Sequence, residues 1–348
     1  MQTALIKKSS SKLFITIMLL GLLSGCMKHP FPPIANEEPA DVVYGWYKLM
    51  AQIQLNTTPP QVTLQNIRNL SYVGVGLYEA VNPGIRGAVS LSSKLYQMPD
   101  MPAAGHEAYS WSASANAALA SLFRQLLGGL TDANKASMDS LENVYNDLLK
   151  SHMSDAVFTR SQTFGRSIAT AIYNWSTTDN FSTSAVGYVL PVFPGSWVPT
   201  PPAFAPPLGP FIKDSRPFLE SSLTSALPPP PLAYSVDPSS GLYKAAKELY
   251  DIGNALTPEQ KTIAHWWADF GGPGLGYQAG IHPLLIVTNV LQSKNVKLGQ
   301  AAEIYAKASI AMRDGIFRTW RSKFHYNLLR PITYINNIID PAWTSYLP

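Results

Sequence analysis

The chain of 348 residues holds one cysteine, Cys26, and only 14% charged residues. A single thiol excludes a disulfide framework and any cysteine-rich zinc or iron–sulfur site. Low charge combined with 46% hydrophobic residues excludes a disordered chain. None of the histidines (His29, His106, His152, His265, His282, His325) stands in an HExxH or another metal-ligand spacing. A Gly-x-Ser-x-Gly nucleophile elbow is missing too. The glycine-rich run Gly271-Gly272-Pro273-Gly274-Leu275-Gly276 follows a helix and lacks the Lys-Ser/Thr of a phosphate loop, so it reads as a turn. No stretch sustains strand alternation and no repeat of fixed period occurs, which points to an all-α class. The formal charge of +4 falls to +1 without residues 1–25, which carry Lys7, Lys8 and Lys12 and no acid. No nucleic-acid partner is expected of so neutral a surface.

Those lysines precede Leu13–Leu23 (LFITIMLLGLL), too short for the roughly 20 apolar residues of a spanning helix. The pattern is that of a signal peptide. It ends in Leu23-Ser24-Gly25-Cys26, which resembles the bacterial lipobox, where the cysteine is acylated and becomes the first residue. The expectation is an exported bacterial lipoprotein, membrane-anchored through Cys26, at the periplasm or cell surface, with the acyl chains replacing a spanning helix. An ordinary cleaved signal with an incidental cysteine is the alternative. Residues 26–40, rich in proline and without periodicity, read as a tether.

Beyond the tether, Val43, Trp46, Tyr47, Met50 and Ile53 fall at helical spacing in 41–54. Further helices are predicted at 61–81, 107–127, 131–151 and 154–175, with Gly128-Gly129 as a stop and Thr131 as a cap. Fourteen of the 29 prolines fall in 180–238, where each removes a backbone donor, so helix is not expected there. Its tryptophan, Trp197, and its phenylalanines suggest a segment lying over the helical core rather than a solvated spacer. Helices are expected again at 242–253, 257–270, 281–294, 298–320 and 323–339, and Thr257-Pro258-Glu259-Gln260 is close to a capping box. The organisation read is 1–25 signal, 26–40 tether, 41–178 helical region, 179–238 packed connection and 239–348 second helical region.

The chemistry concentrates near the end. Lys323 and Arg330 are seven residues apart, two helical turns, so one helix would put both on one face about 10 Å apart. A planar guanidinium fork and a point charge could then close on one tetrahedral oxyanion. Pro331 disfavours helical geometry at Arg330 and predicts an end or kink there. Two surface cations in a basic stretch with Arg313, Arg318 and Arg321 would be the bland alternative.

Lys323-x6-Arg330-Pro331 resembles the first motif of the superfamily joining vanadium-dependent haloperoxidases with type 2 phosphatidic acid phosphatases and bacterial acid phosphatases. Trp320, three before the lysine, and Asp340-Pro341-Ala342-Trp343 after the motif are similar to the haloperoxidase branch. So are Thr58-Pro59-Pro60, Leu77-Tyr78-Glu79-Ala80-Val81-Asn82, Trp197-Val198-Pro199-Thr200-Pro201-Pro202 and Ile263-Ala264-His265-Trp266-Trp267-Ala268-Asp269. The resemblance implies helical bundles and a vanadate cofactor whose oxygens are held by Lys323 and Arg330, with no metal bonded directly by this chain. It implies peroxide and halide as substrates. With phosphate in the same pocket it implies a phosphatase acting on phosphomonoesters through a phospho-His, and the residues do not separate the two. A third reading, from another class, is a non-catalytic helical surface lipoprotein. Trp320 and Asp269 are candidates for the surroundings of the oxyanion, Asp269 alternatively for plain solvent contact.

Two further motifs of that superfamily, Ser-Gly-x-His and Ser-Arg-x5-His, do not occur here. The expectation is therefore a C-terminally incomplete copy, inactive at this length, with an incomplete catalytic bundle and apolar surface exposed after residue 280. His325 would point away from the site, about 200° round a helix from Lys323. His265, in an aromatic helix, is expected to be a satisfied core histidine.

Overall fold

Leu64 to Val81 carries apolar or small residues on every face, and the larger polar side chains Asn66, Arg68, Asn69 and Glu79 are buried with them in one helix. The computed structural model, which describes residues 34–57, 62–272 and 276–347, places that helix at the centre. Cys26, the signal segment and Thr58-Pro59-Pro60 lie outside the described residues.

In chain order the helices are α1 (Asp41–Leu55), α2 (Thr63–Val81), α3 (Trp111–Leu126), α4 (Asp132–Lys150) and α5 (Asp155–Ser176). They continue with the single turn α6 (Ser221–Thr224), then α7 (Gly241–Asn254), α8 (Pro258–Trp267), α9 (His282–Ser293), α10 (Leu298–Tyr326) and α11 (Pro331–Ile338). A small antiparallel pair, β1 (Phe270–Gly272) and β2 (Gly276–Gln278), is the only sheet among the described residues. The all-α class holds.

Central α2 packs against α3, α5 and above all α10. Its contact with α10 is close because Gly74 has no side chain: a Cβ there would overlap the Ser309 hydroxyl and stand 2.9 Å from the Tyr305 carbonyl oxygen. Gly74→Ala is expected to lower stability by about 1–3 kcal/mol through overpacking, measured by urea unfolding. A change within 0.5 kcal/mol would show that the α2–α10 seam yields. Aromatic rings close the core around α1. Tyr47 stacks on Tyr305 with centroids 4.2 Å apart, and the Trp46 indole donates to Asn116 Oδ1 at 2.7 Å.

Beside α2 lies a buried ionic cluster. Arg68 Nε is 2.7 Å from the Asp179 carboxylate, and the Tyr72 hydroxyl donates to the same group at 3.1 Å. Arg216 Nη2 donates to the Trp175 carbonyl at 2.5 Å and to the Tyr72 oxygen at 3.3 Å. From α10, Arg313 donates to Ser215 Oγ at 2.9 Å, while Asp314 accepts from the backbone N–H of Phe218 at 2.7 Å. These contacts bind the stretch after Ser176 to both α2 and α10.

Several expectations are corrected. Residues 34–40 are no tether: Ala35 and Ala40 are buried, and Glu38 accepts from the first N–H groups of α3, at 2.9 Å from Trp111 and 2.6 Å from Ser112. A carboxylate there satisfies donors that the helix itself cannot. The predicted helices 298–320 and 323–339 are divided elsewhere, since α10 runs unbroken through Trp320 to Tyr326. The region 239–348 also splits. α9 and α10 share the main core with α1–α5, whereas α7 and α11 close a small core of their own around Ala246, Tyr334, Ile335 and Trp343.

The exposed apolar surface is displaced as well. After residue 280, Ile281, Leu284, Leu291, Phe317 and Ile335 are buried, and most remaining apolar positions are half-buried. The strongly exposed side chains sit earlier, in the connection (Val192, 94% exposed) and on α8 (Trp266, 67%).

Candidate oxyanion site

α10 ends because Asn327 takes a left-handed conformation, φ +43°, tolerable for asparagine, whose side chain donates back to the Phe324 carbonyl at 2.8 Å. The chain then reverses. Leu328 bridges to Ser196, the Trp197 N–H donates to Asn327 O at 2.7 Å, and the Leu329 N–H donates to Gly195 O at 2.9 Å. Arg330 is extended, ψ 152°, and precedes Pro331 at the first turn of α11. Lys323 and Arg330 therefore do not share a helix face. The left-handed cap Asn327 and the two residues Leu328 and Leu329 separate the end of α10 from Arg330.

They nonetheless line one cavity of about 1070 Å³. Its floor is the last turn of α10 with Lys323, and its far walls are two stretches of the Pro-rich connection, 197–208 and 228–231. The connection is pinned at this rim. The Trp320 indole donates to Leu208 O at 2.9 Å, the Tyr326 hydroxyl to Pro228 O at 2.6 Å, and Arg330 Nη1 to Thr200 Oγ1 at 3.2 Å. Among the described residues, Lys323 and Arg330 are the only charged ones on the walls. Neither has a carboxylate within ion-pair distance among the described residues. Lys323 Nζ stands 5.0 Å from the Trp320 ring centroid, a cation–π placement. Desolvation, and after it the Arg330 charge, lower the Lys323 pKa below the ordinary lysine value.

Other residues of interest fall outside. Asp269, with φ +50°, does not line the cavity; its Oδ1 lies 2.6 Å from Nδ1 of His282, at the start of α9. That pair joins the hairpin strand to a helix, so Asp269 is neither beside the two cations nor merely solvated. His265 is exposed, edge-on to Tyr346 at 5.4 Å, and is not the core histidine expected. His325 is exposed, packs against Tyr326 at 4.8 Å and is absent from the walls. Trp320 is a wall residue. Sequence reasoning missed Thr200 and Asn327 as site residues. Thr200 sits inside the Trp197–Pro202 stretch already noted as similar to the family, and Asn327 stands three before Arg330.

No protein-family model and no curated protein matches this sequence. Among solved structures, a bacterial vanadium-dependent iodoperoxidase is similar with a TM-score of 0.74 at 26% identity, over 88% of this chain and 74% of that one. An apo-type bacterial vanadium-dependent chloroperoxidase is similar with a TM-score of 0.56 at 14% identity, over 88% and 70%. A holo-type one gives 0.57 at 14% identity, over 87% and 75%. At 14% identity the chloroperoxidases bear on the fold alone. Taken with the Lys323–Arg330–Pro331 motif and the helical architecture, the iodoperoxidase likeness makes this chain a member of the superfamily that unites vanadium-dependent haloperoxidases with type 2 phosphatidic acid phosphatases.

Proposed function

We propose that the cavity is the oxyanion pocket of a vanadium-dependent haloperoxidase and that Lys323 and Arg330 hold vanadate in it. The observation that carries this is two cations in one cavity whose walls, among the described residues, offer no acid. The Arg330 charge disfavours the charged form of Lys323, and an anion between the two would offset that repulsion. Arg330 can bind two oxygens through its planar fork, aimed by Thr200. Lys323 adds a point charge held over Trp320. Bound vanadate would supply a Lewis acid that activates peroxide for halide oxidation. The likeness to an iodoperoxidase favours this over a phosphatase, although the same donors fit phosphate.

The motifs Ser-Gly-x-His and Ser-Arg-x5-His do not occur in these 348 residues, and among the described residues no histidine lines the cavity. The described walls can bind and orient an oxyanion but supply neither of the histidines that acid–base and nucleophilic steps at such a site would use. Binding without turnover is the expected behaviour of this chain. The test titrates it with vanadate and with phosphate by calorimetry, and assays bromide or iodide oxidation and phosphomonoester hydrolysis. Binding of neither anion would sink the site, and turnover above a Lys323→Ala/Arg330→Ala control would overturn the inactive reading.

Export as a lipoprotein is part of the proposal and rests on the Leu23–Cys26 motif. Radiolabelled fatty acid should enter the protein in bacterial cells and be lost in Cys26→Ser. Equal labelling of both would remove the anchor.

A further inference from the structure

We propose that the buried cluster beside α2 is a second, structural anion site, separate from the oxyanion cavity, and that it takes one small monovalent anion of halide type. Three arginines meet there, and all are buried: Arg68 9%, Arg216 8% and Arg313 1% exposed. The acids that face them are Asp179 and Asp314. Three guanidinium charges against two carboxylates leave a formal excess of one positive charge, offset only by neutral acceptors such as the Trp175 and Thr178 carbonyls. Tyr72 does not supply the balance. Burial, with Asp179 second, pushes its hydroxyl up to about 12, so it stays neutral at physiological pH.

The donors repeat the deficit. Nε and Nη1 of Arg313 and Nε of Arg216 are buried and have no hydrogen-bond partner. Asp314 cannot turn to them, because its oxygens already accept from the N–H groups of Phe218 and Leu219 and from Ser222 Oγ, at 2.7, 2.9 and 2.7 Å. Asp179 reaches Arg313 only at 3.9 Å, since Arg68 and Tyr72 hold it. A buried cation left short of both charge and acceptors costs several kcal/mol in general, and a single anion on the Arg313 edge answers both shortfalls.

The test is thermal unfolding of the 348-residue chain in sodium bromide against sodium gluconate at equal ionic strength. A saturating, bromide-specific rise is expected, roughly 5 °C at about 100 times the dissociation constant. It should disappear in Arg313→Met, where the charges balance, and persist in Arg330→Ala, which touches only the oxyanion cavity. Equal melting in both salts overturns the proposal, as does a bromide response that survives Arg313→Met. If Arg313→Met fails to fold, anomalous scattering from wild-type crystals grown in bromide decides: a bromine peak against Arg313 supports the site, and its absence there refutes it.

Discussion

Arg330→Ala is expected to weaken vanadate binding by about 100-fold, and Lys323→Ala by about 10-fold. Hydrogen bonds to charged groups contribute about 1.5–3 kcal/mol each, and Arg330 can offer two where Lys323 offers one point charge. Arg330→Lys should recover only part of the loss, because it keeps the charge and forfeits the fork. The pH response has a definite sign. The charged amine binds, and its pKa is already lowered by desolvation and by Arg330. Affinity is therefore full below that lowered pKa and lost as pH rises through it, earlier than an ordinary lysine would give. Calorimetric titration of each variant with vanadate and with phosphate settles the matter. Wild-type affinity in both alanine variants would mean that the cavity is not where the anion sits.

Asp179→Ala should be the most damaging single change in the fold, at about 3–5 kcal/mol. The carboxylate is 2% exposed and is the ion-pair partner of Arg68. It also accepts from Tyr72 and from the Phe181 N–H, the latter at 3.0 Å. Removing it leaves Arg68 buried and uncompensated beside Arg313 and Arg216. Asp179→Asn should cost less, since an acceptor oxygen remains. Urea unfolding with an unchanged slope would read the loss as stability. A cost below about 1 kcal/mol would mean that water enters the cluster freely and that the charge argument is misplaced.

The helices were legible where periodicity and caps agreed. Thr131, Ser154 and Thr257 each accept from the backbone three residues on, and Thr257 with Gln260 makes a complete capping box. The end of α10 was not legible, because no proline interrupts 298–326 and its polar residues fall at positions a helix tolerates. Its stop is the left-handed Asn327, a backbone state that several residue types can adopt. The pair Lys323 and Arg330 could be picked out by spacing, but the helical argument for their meeting was wrong. They meet because strand-like contacts of Leu328 and Leu329 with 195–196 fold the link back. The Arg68–Asp179–Arg216–Arg313 cluster gave no local signal. Its members stand in four separate stretches of chain, and charge in a sequence normally marks solvent-facing positions.

The cavity wall also has a history in time. Arg330 bonds to Thr200, 130 residues earlier in the chain. At roughly 5–20 residues per second, synthesis reaches Arg330 about 7–26 s after Thr200. Throughout that interval 197–208 has neither Trp320 nor Arg330 to rest on, and it carries Trp197, Val198, Phe204 and Leu208 in the open. Such a segment would ordinarily recruit strands from neighbouring chains. Prolines 199, 201, 202, 206 and 207 deny it the run of N–H donors that β-pairing requires. The same residues that form the wall thus leave the segment little capacity for β-pairing before its partners on α10 and at Arg330 exist.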